Sequence, residues 1–287
     1  GFLYNRELLE KRQKEIAAAI DLLIGGAELH SFPPIEEALV QLGDPIKQVD
    51  SFALLDIARY IKAAEYLYQV VHTETKNSPW SEALHQLMES EVSPSLLQLA
   101  QKIEQTLDES GQVRTTHPNL LPLYKQVEAT KNERSRYCSQ FIKANTQAVQ
   151  TDQEALRDGR LVIPVRSDRR SFVQGFVSSS SQSGNTVFME PYALVEMNNS
   201  VILAQNQIQI EIARILKQLN DASRALRMEL KDLSAQVGAL DAIFSIAGWA
   251  LDHDAQMSNL DSNLINLKKA RHPLLGKKAV PITISLE

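Results

Sequence analysis

RLVIPVRSDRRSFVQGFVSSSSQSGNTVFMEPYALVEMNN, residues 160–199, interrupts two long helical stretches and decides the fold of this chain. It contains three short runs rich in β-branched and aromatic residues, at 161–166, 171–177 and 185–191, with turn residues between them. Such runs predict three short β-strands. Three short strands bury too little surface to be stable alone, so we expect the flanking helices to support them.

The stretch after this insert has the strongest helical periodicity in the chain. Its apolar positions step by three or four residues, at Ile208, Ile212, Ile215, Leu219, Ala222, Leu226, Leu230, Leu233, Val237, Leu240 and Phe244. The spacing predicts a heptad seam, and the extra four-residue step from Leu226 to Leu230 is a stutter that locally unwinds the supercoil. Such a seam needs a partner helix.

The partner that the sequence offers is the stretch before the insert. Residues 118–156 contain no internal glycine, and some 35 helical residues would reach roughly 50 Å. Because the insert is short, we expect the two long helices to form an antiparallel hairpin. The apolar stripe of the outgoing helix is weaker, since Lys131, Arg134 and Asn145 fall on it.

The rest of the chain predicts a helical core. Helical periodicity runs from Arg6 to about Ile24, where Gly25-Gly26 stops it, and again from Ser51 to Val71. Between Gln105 and Pro118, turn residues predict a short hairpin or irregular crossover. The alternation from Val280 to Leu286 resembles a strand.

Composition limits the functional classes. The chain has 287 residues, 44% of them apolar, a net charge of −5 and one cysteine, Cys138, which we expect to be a small residue in a helix. A single cysteine excludes a disulfide within the chain and favours a reducing compartment. No stretch approaches the roughly 20 apolar residues that a membrane span needs, so we expect a cytoplasmic protein without membrane contact. An acidic chain is not a general nucleic-acid binder, so any such contact must come from a local basic patch.

A patch of this kind lies inside the insert. Residues 157–170 carry five arginines and two aspartates. Arginine suits bidentate phosphate contact, and the serine run that follows offers hydroxyl and backbone N–H groups to phosphate oxygens. The candidate nucleic-acid-binding residues are Arg160, Arg166, Arg169, Arg170, Ser179, Ser180, Gln182 and Ser183.

Structural roles are the alternative for the same residues. A serine run is often a flexible loop, and arginines between a helix and a strand often cap helix carbonyls or pair with acids, here Glu190 or Glu196. The sequence shows no aromatic-rich basic face on which bases would stack, so we expect contact with the nucleic-acid backbone.

Catalytic and metal-binding motifs are not found. The chain has no Gly-x-x-x-x-Gly-Lys-Ser/Thr loop, so we expect no ATP hydrolysis by these residues. Asp252-His253-Asp254 occupies consecutive positions that point in different directions on a helix, and His272 before Pro273 reads as a turn. We therefore predict no catalytic, metal or cofactor site.

Several segments carry a family resemblance. They are Arg160–Arg166, Ser183–Pro191 and Val195–Asn199, together with Leu107–Val113, Ala270–Leu275 and Val280-Pro281. Taken in their order along the chain, these segments resemble the MutS family. The resemblance is to its second bacterial branch, the anti-recombination MutS-like ATPases with a C-terminal Smr domain. Where that family usually has Pro-Asn-Asp-Ile, this chain has Pro281-Ile282-Thr283-Ile284.

The resemblance implies a mainly α fold: a helical core from which a long antiparallel helical hairpin, the lever, carries a small β-rich clamp at its tip. The implied boundaries are 1–115 for the core, 116–159 for the outgoing lever helix, 160–193 for the clamp, 194–244 for the returning lever helix, and 245–287 for the return to the core and the start of an ATPase domain. In the family the clamp touches the nucleic-acid backbone.

For the whole parent protein, the resemblance implies a homodimeric ATPase that uses ATP and Mg²⁺ and has Smr endonuclease activity. Its implied partners are duplex or branched DNA, where it suppresses homologous recombination, or ribosomal RNA in stalled ribosomes. The alternative is a coiled-coil interaction module, whose heptad seam binds a second chain and whose β-rich tip docks a protein.

Overall fold

The computed structural model describes residues 5–74, 78–260 and 265–286. Across these residues the chain is mainly α-helical with small antiparallel sheets, which confirms the predicted fold class at that level. Two compact units are present: Gly1–Glu104 with Asn220–Glu287, which we call the helical unit, and Gln105–Leu219, which we call the sheet unit.

The helical unit begins with a well-defined helix. The side chain of Asn5 accepts a hydrogen bond from the backbone N–H of Glu7 at 2.9 Å, which caps α1 (Arg6–Ile24). Gly26, with φ of 88°, ends it in a conformation that favours glycine. The predicted bounds of this helix are confirmed.

The other elements of the helical unit follow the predicted core. They are α2 (Glu36–Leu42), α3 (Ser51–Glu74), α4 (Ser81–His85), most of α5 (Pro94–Thr106), α8 (Arg227–Asp252), β5 (Ile265–Ala270), a 3-10 helix (Pro273–Lys278) and β6 (Ile282–Leu286). Helix α8 packs against α1 and α2. The strand expected near the end of the chain is β6, and its antiparallel partner is β5.

Helix α8 corrects one expectation. By length and composition it could cross a membrane, whereas the sequence analysis predicts no such segment. One face of it is buried in the helical unit, at Leu230, Leu233, Val237, Leu240, Ile243, Phe244 and Ala247. A core helix passes the same test, so this helix is weak evidence for a membrane span.

The long returning helix is interrupted at the predicted stutter. Helix α7 (Tyr192–Ala225) ends one residue before Leu226, and α8 begins one residue after it. Ser223 is fully buried here, and Arg227 donates to the carbonyl oxygen of Leu39 at 2.7 Å. Arg224 reaches the carbonyl oxygen of Lys47 at 2.6 Å. Charged donors on carbonyls at the end of α2 and in the following loop hold the chain at the break.

The sheet unit opens with the expected turn. Leu107 and Val113 form an isolated antiparallel bridge, and the Asp108 carboxylate accepts hydrogen bonds from the backbone N–H groups of Ser110 and Gln112. Hydrogen bonding from Ser110 and Gln112 lowers the pKa of Asp108. The chain then enters α6 (Leu121–Ala144).

Helix α6 is shorter than the predicted outgoing helix. It ends at Ala144, where the Asn145 side chain donates to the carbonyl oxygen of Phe141 at 2.8 Å. The next residues pair with a strand: Gln150 N–H donates to Pro164, and the carbonyl of Ala148 accepts from Arg166. The stretch without glycine is therefore not all helix, because strand pairing beyond Asn145 replaces the helical hydrogen bonds.

Four antiparallel strands form the sheet. They are β1 (Ala155–Arg157), β2 (Arg160–Arg166), β3 (Gly175–Ser180) and β4 (Thr186–Pro191), in the spatial order β1-β2-β4-β3. A 3-10 helix (Ser167–Phe172) begins the connection from β2 to β3. The predicted runs 161–166 and 185–191 contain strands, whereas most of 171–177 is connection and β3 continues to Ser180.

Candidate nucleic-acid interface

One face of the four-stranded sheet packs into a core. This inner face contributes Ile163 and Val165 from β2 and Val187 and Met189 from β4, which cluster with Cys138 and Ile142 of α6. Because side chains alternate along a strand, the residues between them, such as Phe188 and Glu190, lie on the opposite, outer face. The helix thus supports the sheet from its inner side.

Cys138, the single cysteine, is fully buried in this core. Burial raises the pKa of Cys138 to about 12, and the negative charge of Glu154 acts in the same direction. The thiolate is the reactive form of a thiol. Cys138 is therefore a packing residue, as expected from the sequence.

We expect Cys138 to be unreactive toward a thiol reagent in the folded protein at pH 8, because burial raises its pKa and keeps the thiol protonated. Denaturant should release one reactive thiol.

The protonated Cys138 thiol also makes the stability of the protein depend on pH. Because its folded-state pKa lies above the usual value of 9.0, its contribution to stability is complete below pH 9 and is lost as the pH rises through about 12. Urea unfolding across this range measures the loss, and rapid labelling of the native protein would contradict the prediction.

Three of the predicted arginines lie at one end of the sheet. Arg166 is the last residue of β2, and Arg169 and Arg170 belong to the 3-10 helix that follows. All three are exposed. Asp168 lies 3.4 Å from Arg166 and 3.7 Å from Arg169, so one carboxylate faces both guanidinium groups. Exposed pairs of this kind are weak, and the cluster keeps an excess of positive charge.

The turn between β3 and β4 lies beside these arginines. Arg166 is paired with Thr186, the first residue of β4. Ser167 fixes the turn: its backbone N–H donates to the carbonyl of Asn185 at 3.1 Å, and its hydroxyl donates to the carbonyl of Gly184. Two chain segments that are separate in sequence thus form one surface.

Gln182 and Ser183 are the exposed middle residues of this turn. The Gly184 N–H closes it on the carbonyl of Ser181 at 2.9 Å, and Gly184 has φ of 71°, a value that favours glycine. The Ser181 hydroxyl accepts from the N–H of Thr186. The structure therefore brings Gln182 and Ser183 together with the arginine cluster, which we name the cationic end: Arg166, Arg169, Arg170, Gln182 and Ser183.

Ser179 and Ser180 are placed differently, on strand β3. They pair with Phe188 and Val187, after a bulge between Val177 and Ser179. Ser180 is exposed, but the Ser179 hydroxyl is buried and has no hydrogen-bond partner in the structure. Ser179 does not join the cationic end.

Arg160 also lies away from the cationic end. It is at the opposite end of β2, about 20 Å from Arg166 at the rise of a strand. Its guanidinium binds the Glu190 carboxylate at 2.6 to 3.1 Å and the Asn199 side chain at 2.9 Å. This is the pairing with Glu190 that the structural alternative anticipated.

Asn198 is the centre of a buried network that the sequence did not reveal. Its amide accepts from the N–H of Leu161 and donates to the carbonyl of the same residue, both at 2.9 Å. The pairing of β2 with β4 ends at Ile163 and Met189. Continued by two residues, the same register would bring Pro191 opposite Leu161, and proline has no N–H to donate. The Asn198 side chain therefore supplies the two hydrogen bonds that a neighbouring strand would otherwise make with the backbone of Leu161.

Arg134 of α6 completes the network. It is buried, and it donates to the Asn198 side chain at 3.0 Å and, more distantly, to the carbonyl of Gly159. Burial lowers its pKa, and the nearby charge of Arg160 lowers it further. Arg134, which interrupts the apolar stripe of α6 in the sequence, thus links α6 to the sheet and to α7.

Aromatic side chains gather on the sheet, contrary to the expectation from sequence. Phe176 and Tyr192 contact each other edge to face with ring centroids 5.4 Å apart, and the guanidinium of Arg157 lies 4.4 Å above the ring of Phe188. These residues are scattered along the chain, so composition gave no signal of them. Strand register brings them together.

Metal ligands are not grouped within the described ranges 5–74, 78–260 and 265–286: no cluster of three or more His, Cys, Asp or Glu residues could hold an ion. His253, from the dismissed Asp-His-Asp motif, faces the carbonyl of Trp249 and stacks on its ring. The carbonyl of His272 accepts from Leu275 in a turn.

The fold and the site define a mainly helical protein with a small antiparallel sheet whose end is cationic. Curated relatives have similar sequences. The chain is 30% identical to endonuclease MutS2 of Finegoldia magna over 255 residues, or 88% of the chain. It is 29% identical to endonuclease MutS2 of Acetivibrio thermocellus over 282 residues, or 95% of the chain. The Synechocystis protein of the same name is 31% identical over 206 residues, or 67% of the chain.

The chain therefore belongs to the MutS family, in its second bacterial branch. It spans 30% of the Finegoldia protein, 35% of the Acetivibrio protein and 25% of the Synechocystis protein. No family model matches it.

Proposed function

We propose that this chain is the core, lever and clamp portion of a MutS-like protein, and that its cationic end grips the sugar-phosphate backbone of a nucleic acid. The observation that carries the proposal is the attachment of the β3–β4 turn to the start of the 3-10 helix through Ser167. It joins three exposed arginines to a polar turn in a chain whose net charge is −5. Such a surface suits phosphate contact without reading of sequence.

The whole parent is proposed to be a cytoplasmic homodimeric ATPase that binds ATP and Mg²⁺, with an Smr endonuclease domain. Its target is DNA, where it would suppress recombination, or the RNA of stalled ribosomes. The portion described here would contribute binding and not hydrolysis. The lever, with its break at Leu226, would transmit the nucleotide state of the ATPase domain to the clamp.

The interaction-module alternative receives less support. Its seam would need to be available to a second chain, but Ile208, Ile215 and Leu219 are buried in this single chain. In the helical unit, Leu230, Leu233 and Val237 are likewise buried.

Replacing Arg166, Arg169 and Arg170 together by Ala tests the proposal. We expect weaker binding to duplex DNA, four-way-junction DNA and ribosomes, since each lost phosphate contact removes counterion release. The slope of log K against log salt should flatten by about 0.9 per duplex contact, or roughly 2 to 3 in total. The measurement is a salt series of binding isotherms.

A matched control removes the same charge elsewhere. Arg6, Arg59 and Lys62 are exposed residues of the helical unit that each pair with a nearby acid, as Arg166 and Arg169 do with Asp168. Changing these three to Ala should leave affinity and slope near those of the unmodified chain. Equal behaviour of the two triple variants, or an unchanged slope in the first, would reject phosphate contact by the cationic end.

A further inference from the structure

The outer face of the sheet exposes an aromatic pair. Phe176 and Tyr192 are 59% and 56% exposed, although each is a large ring. Their backbone is held firmly: Phe176 pairs with Glu190 in the sheet, and the N–H of Tyr192 donates to the carbonyl of Gln174. The rings are therefore presented by ordered backbone and not by a loose loop.

Arg157 and Phe188 extend this aromatic surface across the sheet. Arg157 starts on β1 and Phe188 lies on β4, with β2 between them. The Arg157 guanidinium donates to the carbonyl oxygen of Leu156 at 3.1 Å and lies 4.4 Å from the centre of the Phe188 ring, and this contact joins the two side chains. It leaves a flat, cationic group on top of a ring. We name Arg157, Phe176, Phe188 and Tyr192 the stacking face.

The chemistry of this face fits unpaired bases. Every base has a π-face, so aromatic rings and guanidinium planes bind single strands with little dependence on sequence. The bases of an intact duplex are stacked on each other and do not offer these faces. Phe176 lies opposite Glu190 and Arg166 opposite Thr186, so about 13 Å along β4 separates the stacking face from the cationic end.

We propose that Phe176 and Tyr192 stack on unpaired bases of a single strand, of DNA or RNA, while its phosphates extend to the cationic end. The inference deepens the proposed function and rests on it: the preferred target of the clamp is a nucleic acid with unpaired nucleotides. Backbone contact alone would not require an exposed aromatic pair on this face. A docked protein would use the same apolar area but not its π character.

Leucine variants separate these possibilities. Phe176→Leu with Tyr192→Leu keeps apolar bulk and removes the rings. In the full chain we expect affinity for oligo(dT) or oligo(U) to fall by on the order of tenfold, with affinity for duplex DNA of equal length unchanged. The salt slope should also stay unchanged, because no phosphate contact is lost. Whichever oligomer loses more identifies DNA or RNA as the better source of bases.

A second variant gives a direct signal. Phe176→Trp retains a stacking ring, should keep the affinity for single strands, and should show fluorescence quenching on addition of oligo(dT) or oligo(U) but not of duplex. Full single-strand affinity in the leucine variant, equal losses on single strand and duplex, or absence of quenching would each overturn the stacking face. If the triple arginine variant alone behaves like the unmodified chain, only the phosphate contacts are rejected. The two tests can therefore fail independently.

Discussion

Gly175→Ala should destabilise the sheet unit by about 3 kcal/mol, the upper part of the usual range of about 1 to 3 kcal/mol for overpacking, because the atoms approached belong to the backbone. A Cβ atom at Gly175 would lie 2.2 Å from the carbonyl oxygen of Glu190 and 2.7 Å from the Cα of Pro191. Both are backbone atoms of the paired strand β4, so no side-chain rotation can relieve the contact. Relief requires β3 to separate from β4 or to slip in register, which would turn its side chains to the wrong faces.

The measurement for Gly175→Ala is urea unfolding together with amide hydrogen exchange in β3 and β4. Gly238→Ala is the matched control. It lies inside α8 with nothing within 4 Å of the added methyl group, and we expect it to stabilise the protein by roughly 0.5 to 1 kcal/mol. Native protection of β3 in Gly175→Ala would show that the close approach to Glu190 does not constrain the strand.

Asn198→Leu should destabilise the sheet unit by about 3 kcal/mol as well, for a different reason. The buried N–H and C=O of Leu161 would lose their partners, and Arg134 would keep its buried charge without its side-chain acceptor. Unsatisfied buried backbone groups cost about 1 to 3 kcal/mol each, and partial relaxation reduces the sum. Exchange protection at Leu161 and Val162 should fall first.

Asn199→Leu is the neighbouring control for Asn198. Asn199 is exposed and accepts a hydrogen bond from Arg160, which keeps its pairing with Glu190. We expect a loss below about 1 kcal/mol. Similar losses for the two variants would mean that the buried amide has no special role.

Periodicity and turn chemistry were sufficient to predict much of the fold. The helix bounded by Arg6 and Gly25 and the turn at Asp108–Gly111 depend on local signals, and they occur as expected. The extra step at Leu226 also had a structural counterpart, because a helix break lies there. These features are encoded within a few residues of where they occur.

Features set by distant residues were not predictable. The Asn145 side chain is a local signal for the end of α6, but the pairing of residues 148–150 with β2 that follows depends on residues far along the chain. The bonds from Asn198 to Leu161 and from Arg134 to Asn198 join positions far apart in the chain. Long-range pairing also decides the role of Arg160 in the site. Its guanidinium could bind a phosphate, but the fold places it against the Glu190 carboxylate.

Several of the residues that carry the family resemblance belong to the buried network around Asn198, whereas exposed residues outside the resembling segments are among those proposed to contact nucleic acid. Arg160, Glu190 and Asn198, through which the family resemblance was recognised, bind one another inside the sheet unit. Arg169 and Phe176 lie outside the resembling segments and point to solvent. Under the proposed function, substitutions at Arg169 or Phe176 would change the contacts with nucleic acid and leave the buried signature residues in place.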